Sequence, residues 1–159
     1  MTHETIKVRR EGRIGILTLS RPKVLNALNR TLMREVTDTM SEFAKDDGVL
    51  AVVVNGEGRA FSAGFDMKES AQRNTTTLDQ WRAILEADYH FIMQFWDCPK
   101  PTIAAVHGYC LAGAFELALS CDVTVAAEGT KFGEPEPRFG SGIIAMLLPW
   151  TIGPKATKE

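Results

Sequence analysis

The sequence predicts an α/β fold in a single domain over residues 1–159, on three observations. Short apolar runs of strand length, such as 50–54 and 102–106, alternate with longer stretches whose apolar residues recur every three or four positions. Two glycine-bearing corners each lead from such a run into helical sequence, about fifty residues apart from Gly64 to Gly113, which hints at a repeated unit. The chain is 45% hydrophobic and 24% charged, and at this length about two-thirds of the unfolded surface can be buried.

In chain order, 6–9 and 14–20 read as two strands around Glu11-Gly12-Arg13, a hairpin by its turn. Pro22 has no N–H for a strand ladder and takes the chain out of the sheet. A helix follows with Leu32, Val36, Met40 and Phe43 on one face, stopping near Asp47-Gly48. The continuous apolar run 50–54 predicts a strand buried on both faces.

After a turn at 55–59 comes the first corner, 60–66, and then a polar, threonine-rich segment from 69 to 80, expected to be a loop or frayed helix able to gate a site. Leu78, Trp81, Leu85, Tyr89, Ile92 and Trp96 mark an amphipathic helix ended by Cys98-Pro99-Lys100-Pro101, and its aromatic stripe is expected in the core. Strand 102–106 leads into the second corner, His107 to Glu116, and a helix. Next come a strand at 123–126, an extended segment at 131–137 held by two prolines, a helix through 143–148 interrupted by Pro149, and a new helix start at Pro154.

Composition excludes several functions. Eighteen Lys and Arg against 20 Asp and Glu are mixed along the chain without a basic block, so neither a nucleic acid nor an anionic membrane surface is implied. Cys98, Cys110 and Cys121 form no CxxC pair and sit in or beside apolar runs, the pattern of buried thiols in a reducing, cytoplasmic compartment. His3, His90 and His107 lack metal-ligand spacing, so no metal is expected.

The chemistry concentrates at the two corners. If the amides of Ala63 and Gly113 converge, they form a two-donor oxyanion hole suited to a thioester carbonyl whose α-carbon is becoming enolate-like. Glu116, one turn into the second helix, and Glu136, in the proline-held segment, are candidate proton carriers. Two carboxylates sharing a pocket push their pKa values apart, so one serves as base and the other as acid. Glu134 in an extended segment faces the same side as Glu136, which leaves a surface pair open. Ser62 with His107 as base is a rival acyl-transfer arrangement, although the first glycine of a nucleophile elbow is missing.

Phe61-Ser62-Ala63-Gly64-Phe65-Asp66, His107-Gly108-Tyr109 through Gly113-Ala114-Phe115-Glu116-Leu117-Ala118, Cys121-Asp122 and Phe132-Gly133-Glu134-Pro135-Glu136 together resemble the crotonase, or enoyl-CoA hydratase/isomerase, superfamily. Arg21-Pro22-Lys23-Val24-Leu25-Asn26-Ala27 is similar to its N-terminal signature. The resemblance implies a ClpP-like spiral of repeated ββα units, an acyl-CoA substrate with no separate cofactor, and assembly as trimers or dimers of trimers. It also implies residue roles: Ala63 and Gly113 as oxyanion-hole amides, Glu116 and Glu136 as the hydratase glutamates, and Lys23, Val24, Leu25, Ala63, Gly64, Phe65, Asp66 and Gly113 as the region that holds coenzyme A.

Both glutamates favour reversible syn hydration of a 2-enoyl-CoA. Isomerase, dehydratase or thioester hydrolase activity, or a non-catalytic fragment that binds coenzyme A or takes part in assembly, are the alternatives. Two departures stand out. The glycine triplet before the first glutamate reads Ala112-Gly113-Ala114, followed by Phe115, which is expected to narrow the pocket. The family also continues through a C-terminal helical region that covers the acyl pocket and builds the trimer; if the 159 residues are the whole polypeptide, the core is expected to be incomplete at its C-terminus and apolar surface to be exposed.

Overall fold

The computed structural model describes residues 3–158. Strands β1 (Ile6–Glu11) and β2 (Ile14–Leu19) pair antiparallel as the expected hairpin, with Val8 opposite Leu17. Strands β3 (Ala51–Gly56), β4 (Thr102–Val106) and β6 (Val123–Ala126) add in parallel, giving the order β1-β2-β3-β4-β6. Two further strands, β5 (Tyr109–Leu111) and β7 (Lys131–Gly133), form a small parallel sheet of their own. This is the α/β pattern expected, with each glycine corner ending a strand of the large sheet.

Helix α1 (Arg30–Lys45) begins where the Asn29 side chain accepts from the Leu32 N–H, a standard N-cap. It buries Leu32, Val36, Thr39, Met40 and Phe43, the face that its spacing predicts. A Cβ on Gly15 would lie 2.8 Å from the Phe43 ring, so a glycine in β2 is what lets this helix approach the sheet. Asp66 caps α2 (Met67–Gln72), and Thr77 with Gln80 forms a capping box at the start of α3 (Leu78–Met93). Helix α4 (Gly113–Ser120) is buried along most of its length, and two short helices, α5 (Leu148–Ile152) and α6 (Pro154–Thr157), follow.

Four expectations are corrected. The run 50–54 is not buried on both faces: Leu50 is exposed, and along β3 only Val52 and Val54 are fully buried, because the sheet buries alternate side chains. The aromatic stripe of α3 is not core: Trp81, Tyr89 and Trp96 are 51%, 44% and 58% exposed, while Phe91, Ile92 and Phe95 enter the core. The C-terminal half of α3 is fastened to the domain through packing and a Ser120 hydroxyl that donates to the Ile92 carbonyl. Residues 143–147 form no helix; α5 starts at Leu148 and Pro149 sits in its first turn, where a missing N–H costs nothing. The segment 131–137 is extended only through Gly133, since Pro135 turns the chain into a 3-10 turn at Glu136–Phe139.

Candidate active site

The loop after β2 is a rigid support. A 3-10 turn at Pro22–Val24 is followed by Leu25 and Asn26, both in the left-handed region at φ 52° and 53°. Asparagine tolerates that conformation, and here its side chain is fully buried. Asn26 Oδ1 accepts from the Arg21 N–H at 2.8 Å, and Nδ2 donates to the carbonyls of Glu57, Ala60 and Phe61. One side chain thus ties the signature loop to the first corner. Arg21 pairs with Asp66 at 2.9 Å; burial raises the Asp66 pKa, but that hydrogen bond and the Glu69 and Lys68 amides outweigh it and hold the carboxyl below its usual range.

The two corners converge. A Cβ built on Gly64 would meet the Ala112 Cβ at 2.6 Å and the Gly113 nitrogen at 3.3 Å; one on Gly113 would meet the Phe65 ring at 2.3 Å. Gly64 sits at φ +87°, and the two glycines are what allow this approach. Hydrogen bonding revises which amides are available. The Ala63 N–H, expected to be a donor to substrate, is spent on the Leu25 carbonyl at 2.9 Å. Leu28 donates to the Gly64 carbonyl and accepts from the Asp66 N–H, so in this bridge the peptide groups flanking Phe65 face Leu28 and the Phe65 N–H points the other way. Among the described residues neither the Phe65 nor the Gly113 N–H has a partner. Ala112, which precedes Gly113, adopts φ 56° and ψ −139°, a strained conformation for a residue with a Cβ.

Three carboxyls gather beside this corner. Glu116 is 1% exposed; its Oε1 accepts from the Ala145 N–H at 2.8 Å, and its Oε2 is buried without a partner. The irregular stretch 143–147 therefore uses its backbone donors on this carboxylate. Burial pushes the Glu116 pKa up, the Ala145 and Ile144 amides pull it back, and the charges of Glu136 and Asp88 add to the rise. Glu134 and Glu136 each keep one buried oxygen without a donor, so the surface-pair alternative fails. Glu134 is pushed up to about 9, first by burial, then by Glu116 and Glu136.

Ser62 is fully buried, donates to the Asn26 carbonyl and accepts from the Gly64 N–H, which removes it as a nucleophile. His107 Nε2 lies 2.8 Å from the Gly58 carbonyl, a bond that pins the turn after β3. Cys110 and Cys121 are buried; burial pushes Cys121 up to about 12 and Cys110 further in the same direction. Asp122 accepts from the Thr102 N–H and hydroxyl, which explains a Cys-Asp pair at the end of α4 as a clasp on β4.

A cavity of about 470 Å³ opens in front of the corners, lined by Ala63, Phe65, Ala112, Glu136 and Ile144, with Trp81 and Leu85 of α3 as its far wall. Trp81 and Leu85 thus face a cavity instead of the core. A larger and more open groove of about 870 Å³ lies between α1, α2 and α3; it shares Arg73, Thr75, Ile84 and Asp88 with the first but holds neither corner, so the smaller cavity is the site. Of the residues expected to hold coenzyme A, Ala63 and Phe65 line this cavity. Lys23 and Val24 are exposed on the adjoining turn, and Leu25 is joined to Ala63 by its carbonyl. Asp66 serves α2 and Arg21. Phe115 packs on Phe132 with ring centroids 5.1 Å apart and is not among the cavity-lining residues, so of the altered triplet only Ala112 narrows the pocket. Sequence reasoning missed the Phe65 donor, the Ala145 amide and the burial of Glu134. The Glu-Pro-Glu spacing is the one signal that pointed at the last.

The model of the enoyl-CoA hydratase/isomerase family matches residues 9–159. The chain belongs to that family. It is similar to a crystal structure of an enoyl-CoA hydratase/isomerase from Xanthobacter autotrophicus Py2, with 48% identity and a TM-score of 0.96 over 99% of this chain and 58% of that one. Among curated proteins it is 45% identical over 140 residues to a probable enoyl-CoA hydratase of Mycobacterium bovis, covering 88% of this chain and 52% of the relative. It is 36% identical over 141 residues to a short-chain-enoyl-CoA hydratase of Clostridium acetobutylicum, covering 88% and 53%. The chain spans about half the length of the curated relatives it matches. The fold is the crotonase fold these neighbours share.

Proposed function

We propose that this chain carries the catalytic groups of an enoyl-CoA hydratase, adding water reversibly and syn across a 2-enoyl-CoA thioester. The observation that carries the proposal is the pairing of two partnerless N–H groups, Phe65 and Gly113, with a buried Glu116 carboxyl that has one oxygen fixed and the other free. In this reading the thioester oxygen accepts from the two amides, which stabilise the enolate that forms there; each such donor is typically worth about 100- to 1000-fold in rate. Glu116 Oε2 holds the attacking water and takes its proton. The water oxygen bonds to the β-carbon, the π electrons move onto the thioester, and Glu136 protonates the α-carbon. One proton leaves Glu136 and one reaches Glu116, so the addition balances. Phe65, Trp81, Leu85 and Ile144 give the acyl chain an apolar wall.

Hydration of a short 2-enoyl-CoA, followed as loss of the conjugated thioester absorbance, tests this. The wild type is expected to turn over, and Glu116→Gln and Glu136→Gln to fall by at least ~100-fold. Turnover unchanged by both substitutions overturns the mechanism; product analysis separates hydration from double-bond migration or thioester hydrolysis.

A further inference from the structure

We propose that Glu134 is a positioning residue of this site, its carboxyl meeting that of Glu136 across one shared proton and holding Glu136 toward the cavity with that proton in place. The hydratase reading supplies the reaction; the shared proton stands on the structure alone. Pro135, at φ −74° and ψ −10°, bends the chain between the two glutamates, and their side chains come within hydrogen-bonding contact. Yet Glu134 Oε2 and Glu136 Oε2 are both buried and neither receives a donor from the rest of the protein. Two ionised carboxylates have only acceptors to offer each other, so this contact is bonding only when one oxygen carries a hydrogen.

The surroundings hold the proton in. The groups acting on Glu134 are Glu116 from α4 and Glu136 from the 3-10 turn, with no lysine or arginine among them. Cys110 of β5 is a buried neighbour, and Asp88 of α3 acts on Glu116. Like charges brought together away from water disfavour a second ionisation, so the two carboxyls hold one proton between them. When Glu136 gives a proton to the α-carbon, its O–H bond breaks and a C–H bond forms. The proton taken from the attacking water is then on Glu116, so the three carboxyls together keep their starting number, and its transfer to Glu136 restores the shared proton.

The test uses Glu134→Gln, which keeps the shape and removes the titrating group. In the wild type at pH 7 the infrared carbonyl band of a protonated carboxylic acid is expected, disappearing as pH rises toward about 9, and this band is expected to weaken in Glu134→Gln. In hydration assays kcat is expected to fall about 10-fold or more with KM within about threefold, and the alkaline limb of the pH profile to move to lower pH, which a merely structural role would not do. A band and a limb that Glu134→Gln leaves unchanged overturn the proposal while the hydratase reading survives. A wild type that hydrates no enoyl-CoA but whose acid band follows Glu134 sinks the hydratase reading and leaves the shared proton standing. Should Glu134→Gln not fold, Glu136→Gln is expected to lower the pH at which the Glu134 band disappears, and an unmoved band is equally fatal.

Discussion

Gly113→Ala is the sharpest perturbation of the converging corners. Gly113 has no positive φ, so alanine brings no backbone strain; the whole effect comes from one methyl group. That methyl would lie 2.3 Å from Phe65 Cε2 and 2.7 Å from Cδ2, far inside contact distance, so the ring must move. The ring belongs to the residue whose N–H is the other proposed donor. Moving it disturbs Phe65 as well as the space over Gly113. Misplacing one donor costs about 100- to 1000-fold in kcat, roughly 2.7–4 kcal/mol, and overpacking adds about 1–3 kcal/mol of lost stability. Gly133→Ala is the control: its Cβ meets only the Leu111 side chain at 3.7 Å, and it has no positive φ. The assay is hydration of a short 2-enoyl-CoA alongside thermal unfolding of the wild type and both variants. Gly113→Ala with wild-type kcat/KM, or Gly133→Ala as damaged as Gly113→Ala, refutes the two-amide argument.

Asn26→Ala removes one acceptor and three donor contacts from a buried loop, and a stability loss of about 3–5 kcal/mol is expected in urea unfolding; a loss under about 1 kcal/mol contradicts its bridging role. Ser62→Ala is expected to lower stability modestly and leave hydration within a few-fold of wild type, since its hydroxyl serves the backbone; abolished turnover would revive the nucleophile reading. Stability is expected to depend on pH through Glu134. Between 4.5, its ordinary value, and about 9 the folded form binds the proton that the unfolded chain has released, so stability falls as pH rises through that window. Glu116 and Asp88, both raised first by burial, act in the same sense. Denaturant midpoints across that range are expected to slope downward in the wild type and more gently in Glu134→Gln; an upward slope would show that Glu134 is not held in its acid form.

The sequence by itself determined the elements and the family. Apolar spacing in 30–45 and strand-length runs at β2, β3 and β4 are local properties, and local backbone energetics realise them wherever the chain folds. The glycine corners and Glu116 were legible for the same reason: a missing Cβ and a carboxylate one turn into a helix are written in neighbouring residues. Tertiary structure decided what those groups do. The Ala63 N–H is spent and the Phe65 N–H is free because Leu25 and Leu28, far along the chain, pair with the corner and fix the direction of its peptides. Residues 143–147 read as helix by pattern, yet the Ala145 amide is worth more on a buried carboxylate than in a helical ladder. The α3 stripe has core periodicity, yet Trp81 and Leu85 face a cavity, because periodicity fixes which residues share a face and not what that face meets. In sequence Glu134 and Glu136 leave a surface pair open; only the bend at Pro135 and the approach of α4 set Glu134 against two other carboxyls, where desolvation and like charge change its chemistry.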